Sequence, residues 1–164
     1  ACWLFNTSPE NIKVVVHPQS IVHSMVQFID GSVVAQLGQP DMRTPIAYSL
    51  AWPDRCQSGV ENLDMCSVGQ LDFERPDYER FPCLRLAGES FSQGGTAPTI
   101  LNAANEVAVQ GFLDRKLRFT QIPQLVEYAL EKIPGVDVSS LDEVLEADEE
   151  ARDLVNARLK VVSL

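Results

Sequence analysis

Two short apolar runs meeting at Asp30-Gly31 dominate the first third of the chain. Asp-Gly between apolar stretches is a strong hairpin signal, because both residues tolerate the positive φ that a two-residue primed turn demands. A turn there pairs Phe28 with Val33, Val26 with Ala35, Met25 with Gln36 and His23 with Gly38. Alternation then gathers Val22, Val26, Phe28, Val33, Ala35 and Leu37 on one face, a predicted core face in which each large side chain contributes roughly 1.5–3 kcal/mol if fully buried. The other face carries His23, Met25, Gln27, Ile29, Val34 and Gln36, with the imidazole across from a residue that has no side chain. Residues 12–16 read as a further strand, giving a three-stranded or larger sheet whose apolar face needs covering helices.

Beyond Gly38, Gln39-Pro40-Asp41-Met42-Arg43 reads as a rigid loop, and Thr44-Pro45 as the cap and first residue of a helix that stops before Pro53. Residues 54–80 lose all helical period and form a connector, with a brief strand at residues 71–73. After residue 81 the period turns helical. Pro82 opens a helix that stops at Gly94-Gly95, and Pro98 opens a second with Ile100, Leu101, Ala104, Val107 and Ala108 on one stripe. Thr120 caps a third. Ser140 and Glu143 form a capping box for a fourth, striped by Leu141, Val144, Leu145, Ala151, Leu154 and Val155. The expected architecture is α+β: residues 1–53 in a sheet domain, 54–80 a connector, and 81–164 a C-terminal four-helix bundle.

The 164 residues, 45% hydrophobic and 22% charged, are enough for a real core. A net charge of −10 with no basic patch argues against a nucleic-acid partner. No apolar run is long enough to cross a membrane. Cys2, Cys56, Cys66 and Cys83 form no Cys-x-x-Cys pair, so a structural zinc site is not expected and reduced thiols in a cytoplasm fit best. Asn102, Asn105 and Glu106 interrupt an apolar stripe; bonds to neighbouring loop backbone explain them more simply than chemistry does.

Candidate chemistry sits around the hairpin. Ser20, His23, Pro40 and Met42 are expected to border one pocket, if the strands run as counted. A lone strand histidine is more often structural than catalytic. Three motifs change that weighting: His17-Pro18-Gln19-Ser20-Ile21-Val22-His23-Ser24, Gln36-Leu37-Gly38-Gln39-Pro40-Asp41-Met42-Arg43-Thr44-Pro45-Ile46, and Leu101-Asn102-Ala103-Ala104-Asn105-Glu106-Val107-Ala108. In this order and spacing they resemble the C-terminal part of the 1-deoxy-D-xylulose 5-phosphate reductoisomerase family, and the resemblance runs from Ala1 to near the C-terminus.

The resemblance implies an enzyme that uses NADPH and a divalent metal (Mg, Mn or Co) to convert 1-deoxy-D-xylulose 5-phosphate into 2-C-methyl-D-erythritol 4-phosphate in isoprenoid synthesis. It implies that Ser20, Pro40 and Met42 border the nicotinamide ring and that His23 is the active-site histidine. His23 either moves a proton or positions substrate, and positioning is the favoured role. No metal ligand is assigned to this chain. The resemblance places most NADPH and metal contacts upstream, in family members more than twice as long, and implies a homodimer in which the sheet takes part. The sequence agrees, having neither a Gly-x-Gly-x-x-Gly turn nor a Gly-x-x-x-x-Gly-Lys loop to cradle phosphates, and its apolar start reads as the end of a longer helix. This chain alone is therefore expected to be inactive. The competing reading is a non-catalytic dimerisation or scaffold module; a weaker one is a self-contained ligand-binding protein.

Overall fold

The computed structural model describes residues 1–162. Its elements are α1 (Cys2–Phe5), a 3-10 turn at Pro9–Asn11, β1 (Val22–Gln27), β2 (Val33–Leu37), α2 (Arg43–Ala51), α3 (Met65–Val68), α4 (Pro82–Gln93), α5 (Ala97–Leu113), α6 (Gln121–Lys132) and α7 (Leu141–Val162). The α+β class and the four C-terminal helices are as expected. The chain divides into two compact units, one formed by Lys13–Pro76 and the other by Ala1–Ile12 with Asp77–Leu164.

The hairpin departs from expectation at its turn. β1 and β2 pair antiparallel with Gln27 opposite Val33, Val26 opposite Val34, Met25 opposite Ala35 and Ser24 opposite Gln36. That is one residue off the register of a two-residue loop. The cause lies at Asp30, which is absent from the residues with positive φ, whereas Gly31 has φ 85°. Asp30 instead accepts from the Ser32 amide and hydroxyl at 2.9 and 2.6 Å. Gly31 N–H closes on the Phe28 carbonyl at 3.0 Å and Phe28 N–H on that of Ser32 at 2.9 Å. The result is a three-residue loop with a left-handed glycine at its exit, the G1-bulge hairpin.

A second irregularity falls between Val22 and Ser24, where Val22 pairs with Leu37 and His23 becomes the extra residue of a β-bulge. The predicted core face is not buried: Val26 is 57%, Phe28 50% and Val33 55% exposed. The sheet has two strands, not three. Residues 12–16 form no strand; only Val16 makes a bridge, to Glu74, and residues 71–73 likewise remain irregular. α2 begins two residues earlier than expected and buries no side chain, so it does not act as the cover. Its first free amide, that of Arg43, donates to Asp41 Oδ1 at 2.9 Å, and Asp41 takes the capping role assigned to Thr44.

The helical unit holds the apolar core. α5 carries buried Ile100, Ala103, Ala104 and Ala108, and packs against α4, α6 and α7. Buried α7 residues fall at Ala147, Ala151, Val155 and Leu159, a four-residue spacing that leaves the predicted Leu141 and Leu145 exposed. In α4 the buried positions are Leu86 and Ser90; Ala87 faces outward. The capping box is present: Glu143 N–H donates to Ser140 Oγ at 3.3 Å and Ser140 N–H to Glu143 Oε2 at 3.1 Å. Thr120 precedes α6 without a side-chain cap bond. Asn102 and Glu106 bond differently from expectation, since Asn102 donates to Glu106 at 3.2 Å and Arg152 of α7 donates to Glu106 at 2.7 Å and to Asp148 at 2.6 Å.

One close approach ties α4 and α5 to the segment after α6. Buried Thr96 donates its amide to the Val136 carbonyl at 2.9 Å and accepts the Val136 amide on Oγ1 at 3.1 Å. Gly95 has φ 55°, and a Cβ there would lie 2.1 Å from the Val136 oxygen. Gly95→Ala should therefore destabilise the helical unit by about 2 kcal/mol or more. Gly88, inside α4 with open space at its Cβ position, should give the opposite sign, a gain of about 0.5–1 kcal/mol as Gly88→Ala. Urea unfolding followed by helical circular dichroism checks both.

Candidate functional site

The unit of residues 13–76 holds a concavity of about 730 Å³, within the range of small-molecule sites. Ser20, His23, Pro40 and Met42, the residues singled out from sequence, all line it. Gln36, Gly38, Gln39, Asp41, Thr44, Pro45, Tyr48 and Arg55 complete the wall.

Each enters by a local backbone device. His17-Pro18-Gln19-Ser20 closes a turn, with the Ser20 amide on the His17 carbonyl at 3.0 Å. Ser20 itself sits at φ 52°, in the left-handed region that a non-glycine residue rarely occupies. Ile21 next to it is buried, and its carbonyl accepts the Gly38 amide at 3.0 Å, joining the approach to β1 with the exit of β2. His23 lies in the bulge, which re-aims a side chain relative to a regular strand. A Cβ added at Gly38 would lie 3.9 Å from His23 Cε1, so the ring stands beside the bare glycine.

The second edge starts at Pro40. The Asp41 amide reaches back over Pro40 to the Gln39 carbonyl at 2.8 Å, a three-residue turn. Asp41 then grips Arg43, which donates from Nε at 3.0 Å to both carboxylate oxygens and from Nη2 at 2.6 Å, while Arg43 Nη1 reaches the Gly59 carbonyl at 3.2 Å. Between these two anchored residues Met42 is left 71% exposed along the cavity edge. Hydrogen bonds from the Arg43 guanidinium first and from the Arg43 backbone amide second, with the guanidinium charge adding least, hold the Asp41 carboxyl at about 2, well below the ordinary 3.8. At the far wall the Arg55 guanidinium lies 4.0 Å over the Tyr48 ring, and Tyr48 meets Trp52 edge-on at 5.6 Å. Tyr48 and Arg55 were missed from the sequence; Tyr48 lies one helical turn beyond Pro45, and that spacing was the available signal.

The arrangement gives an imidazole and a serine facing an apolar corner of proline and methionine, with one further cation held by an aromatic face. Such a wall suits a flat ring stacked on apolar surface with polar groups at its edge.

Comparison with known proteins decides the family. The model of the DXP reductoisomerase C-terminal domain matches residues 37–154. The chain belongs to this family. It is 58% identical over 154 residues to the 1-deoxy-D-xylulose 5-phosphate reductoisomerase of Pseudomonas aeruginosa (strain UCBPP-PA14), covering 94% of this chain and 39% of that protein. The Cellvibrio japonicus protein of the same name is 59% identical over 152 residues, covering 93% of this chain and 38% of its own length. Among solved structures, the Zymomonas mobilis reductoisomerase in complex with NADPH superposes with a TM-score of 0.88 at 49% identity, over 97% of this chain and 42% of that one. A reductoisomerase bound to NADPH, fosmidomycin and magnesium gives a TM-score of 0.91 at 42% identity, over 98% and 42% of the two chains. The chain thus spans about 39% of the length of the relatives it matches.

The Asp41–Arg43 grip makes a pH prediction. Because the folded carboxyl titrates below its ordinary value, the stabilisation is complete above pH 3.8 and is lost as pH falls through about 2. An NMR titration of the Asp41 carboxyl carbon should show its midpoint near 2. In Arg43→Ala that midpoint should return toward the ordinary range.

Proposed function

We propose that this chain supplies one wall of the active site, and the C-terminal helical domain, of an NADPH-dependent reductoisomerase. The intact enzyme would convert 1-deoxy-D-xylulose 5-phosphate into 2-C-methyl-D-erythritol 4-phosphate. The observation that carries this is the convergence of Ser20, His23, Pro40 and Met42 on one cavity in a chain 58% identical to named reductoisomerases.

The cavity fits the nicotinamide end of the cofactor. Pro40 and Met42 form an apolar edge against which the ring would lie, and Ser20 would present a hydroxyl to its polar rim. When bound, NADPH supplies the hydride for the reduction. His23 holds the substrate's reacting end in register from the bulge. The imidazole stands beside Gly38 and the Gln36 side-chain amide, and the Arg43 grip on Asp41 keeps the Pro40–Met42 edge in place. Positioning of this kind makes an important contribution to rate, since a misplacement of about 1 Å can cost about 10²-fold.

The divalent metal is a different case. Among the described residues no three of His, Cys, Asp and Glu converge on a metal-sized site, and Asp41, the carboxylate lining the cavity, is engaged by Arg43. This wall does not fit the metal. Ligands for the metal and for the NADPH phosphates would come from the rest of the intact protein.

A second role has its own support. Met25, Val26, Phe28, Val33 and Val34 on both faces of the hairpin are between 42% and 61% exposed, an apolar surface that suits association into a homodimer. Light scattering that finds the intact enzyme monomeric at working concentration removes that role.

In the intact enzyme His23→Ala should lower kcat by about 10²-fold with little change in melting temperature. A melting temperature that collapses with the activity would make His23 a structural residue. NADPH oxidation by this chain alone, with the sugar phosphate present, would overturn the proposal that it is only one wall.

A further inference from the structure

Residues 16–19 and 72–74 are fastened together by an unusually complete set of bonds. Val16 and Glu74 exchange both backbone bonds at 2.9 Å. His17 Nδ1 donates to the Asp72 carbonyl at 2.7 Å, and its ring stacks on Phe73 with centroids 4.7 Å apart and planes 17° off parallel. Gln19 closes the pair in both directions, donating from Nε2 to Asp72 Oδ2 and accepting the Asp72 amide on Oε1 at 3.2 Å. Asp72 Oδ1 is steadied in turn by Gln70 Nε2 at 2.6 Å.

The clasp tolerates a defect. His17 Nε2 is buried with no hydrogen-bond partner, which costs free energy in any fold. A ring placed only for its own hydrogen bonds would turn that nitrogen to water. The stack and the Nδ1 bond hold it otherwise, and the residue they lead to, Ser20, carries the other departure from low-energy geometry, its φ of 52°. Unmade bonds and left-handed non-glycine residues persist where surrounding structure over-determines them.

We propose that Gln19, Asp72 and His17 are positioning residues for the reductoisomerase reaction. By clamping residues 16–19 against residues 72–74 they hold Ser20 in its left-handed conformation, and so keep its hydroxyl on the cavity wall where the nicotinamide edge lies. The connector after α3 thereby controls cofactor binding without touching the cofactor. This rests on the reading of the cavity given above.

The test uses the intact enzyme. Gln19→Ala and Asp72→Ala should each raise KM for NADPH by about tenfold, roughly what the loss of one or two hydrogen bonds costs, with kcat at saturating NADPH within about threefold. The double variant should be no worse than the poorer single one, because both remove the same interaction. Asp72→Asn keeps an acceptor for Gln19 and should restore a KM close to that of the parent. If Gln19→Ala does not fold, Gln19→Met keeps the side-chain volume and carries the same expectation. An unchanged KM in a folded Gln19→Ala or Gln19→Met enzyme overturns the proposal, as does a fall of kcat in step with the loss of folded protein while KM stays constant. His23→Ala separates the two levels: if it leaves turnover normal, the cavity reading fails; if it slows turnover while the Gln19 variants behave as the parent, only the clasp fails.

Discussion

The geometry of the hairpin unit depends on one closure, the hydrogen bond from the Gly38 amide to the Ile21 carbonyl. It joins the approach to β1 with the exit of β2 at the place where Ile21, the buried hydrophobic residue of this unit among those described, is seated. Immediately beyond the closure β1 carries one more residue than β2, and that residue is His23. A regular ladder through this point would aim the imidazole perpendicular to the sheet. The bulge bends the strand and re-aims the side chain, whose ring stands beside Gly38. Pro40 and Met42 follow the same glycine by only a few residues, so one backbone bond sets both edges of the cavity.

The helical unit is held by a different kind of force. Its core is continuous from Leu86 to Leu159 and built around α5, whose Ala103, Ala104, Ala108 and Gly111 let neighbouring helices come close. A Cβ on Gly111 would meet Leu159 Cδ1 at 2.7 Å, so even that small addition displaces a core leucine. The Glu106–Arg152–Asp148 network joins α5 to α7 at the surface, with the Arg152 side chain 35% exposed. Exposed pairs of this type contribute little; their effect is to fix which residues of the two helices face each other.

Much of this was legible in the residues. The helix boundaries of α4 follow from Pro82 and Gly94, and the α7 capping box from Ser140 and Glu143, because these signals are local and their physics is satisfied within a few residues. The hairpin's existence was legible for the same reason; its register was not. Asp-Gly serves both the two-residue primed turn and the three-residue loop with a left-handed glycine, and Ser32 tips the choice by engaging the Asp30 carboxylate. The shift of one residue exchanged the faces assigned to the β2 side chains from Val33 to Gln36 relative to β1, and the bulge at His23 then set Leu37 opposite Val22. Grouping of Ser20, His23, Pro40 and Met42 survived the error, because it depends on Gly38 and the proline turns more than on the ladder. The part played by residues 72–74 could not be read, since nothing in the spacing of His17 and Asp72 announces a contact across 55 positions.

The contrast between the units bears on how function is distributed. In the helical unit a cluster of buried apolar residues forms the core, so substitutions within it act on stability through packing. In the hairpin unit Val26, Phe28, Val33 and Val34 stay more than half exposed or close to it, and order comes from turns, the bulge and side-chain-to-backbone bonds. Hydrogen bonds are directional where apolar contact is not, and a structure held by them loses alignment before it loses compactness. Side chains whose relative angles matter are therefore better placed on such a framework than on a packed helical face. The same framework leaves Val26, Phe28, Val33 and Val34 as exposed strand surface, so the order of this unit rests on its turns and bulge rather than on an apolar core.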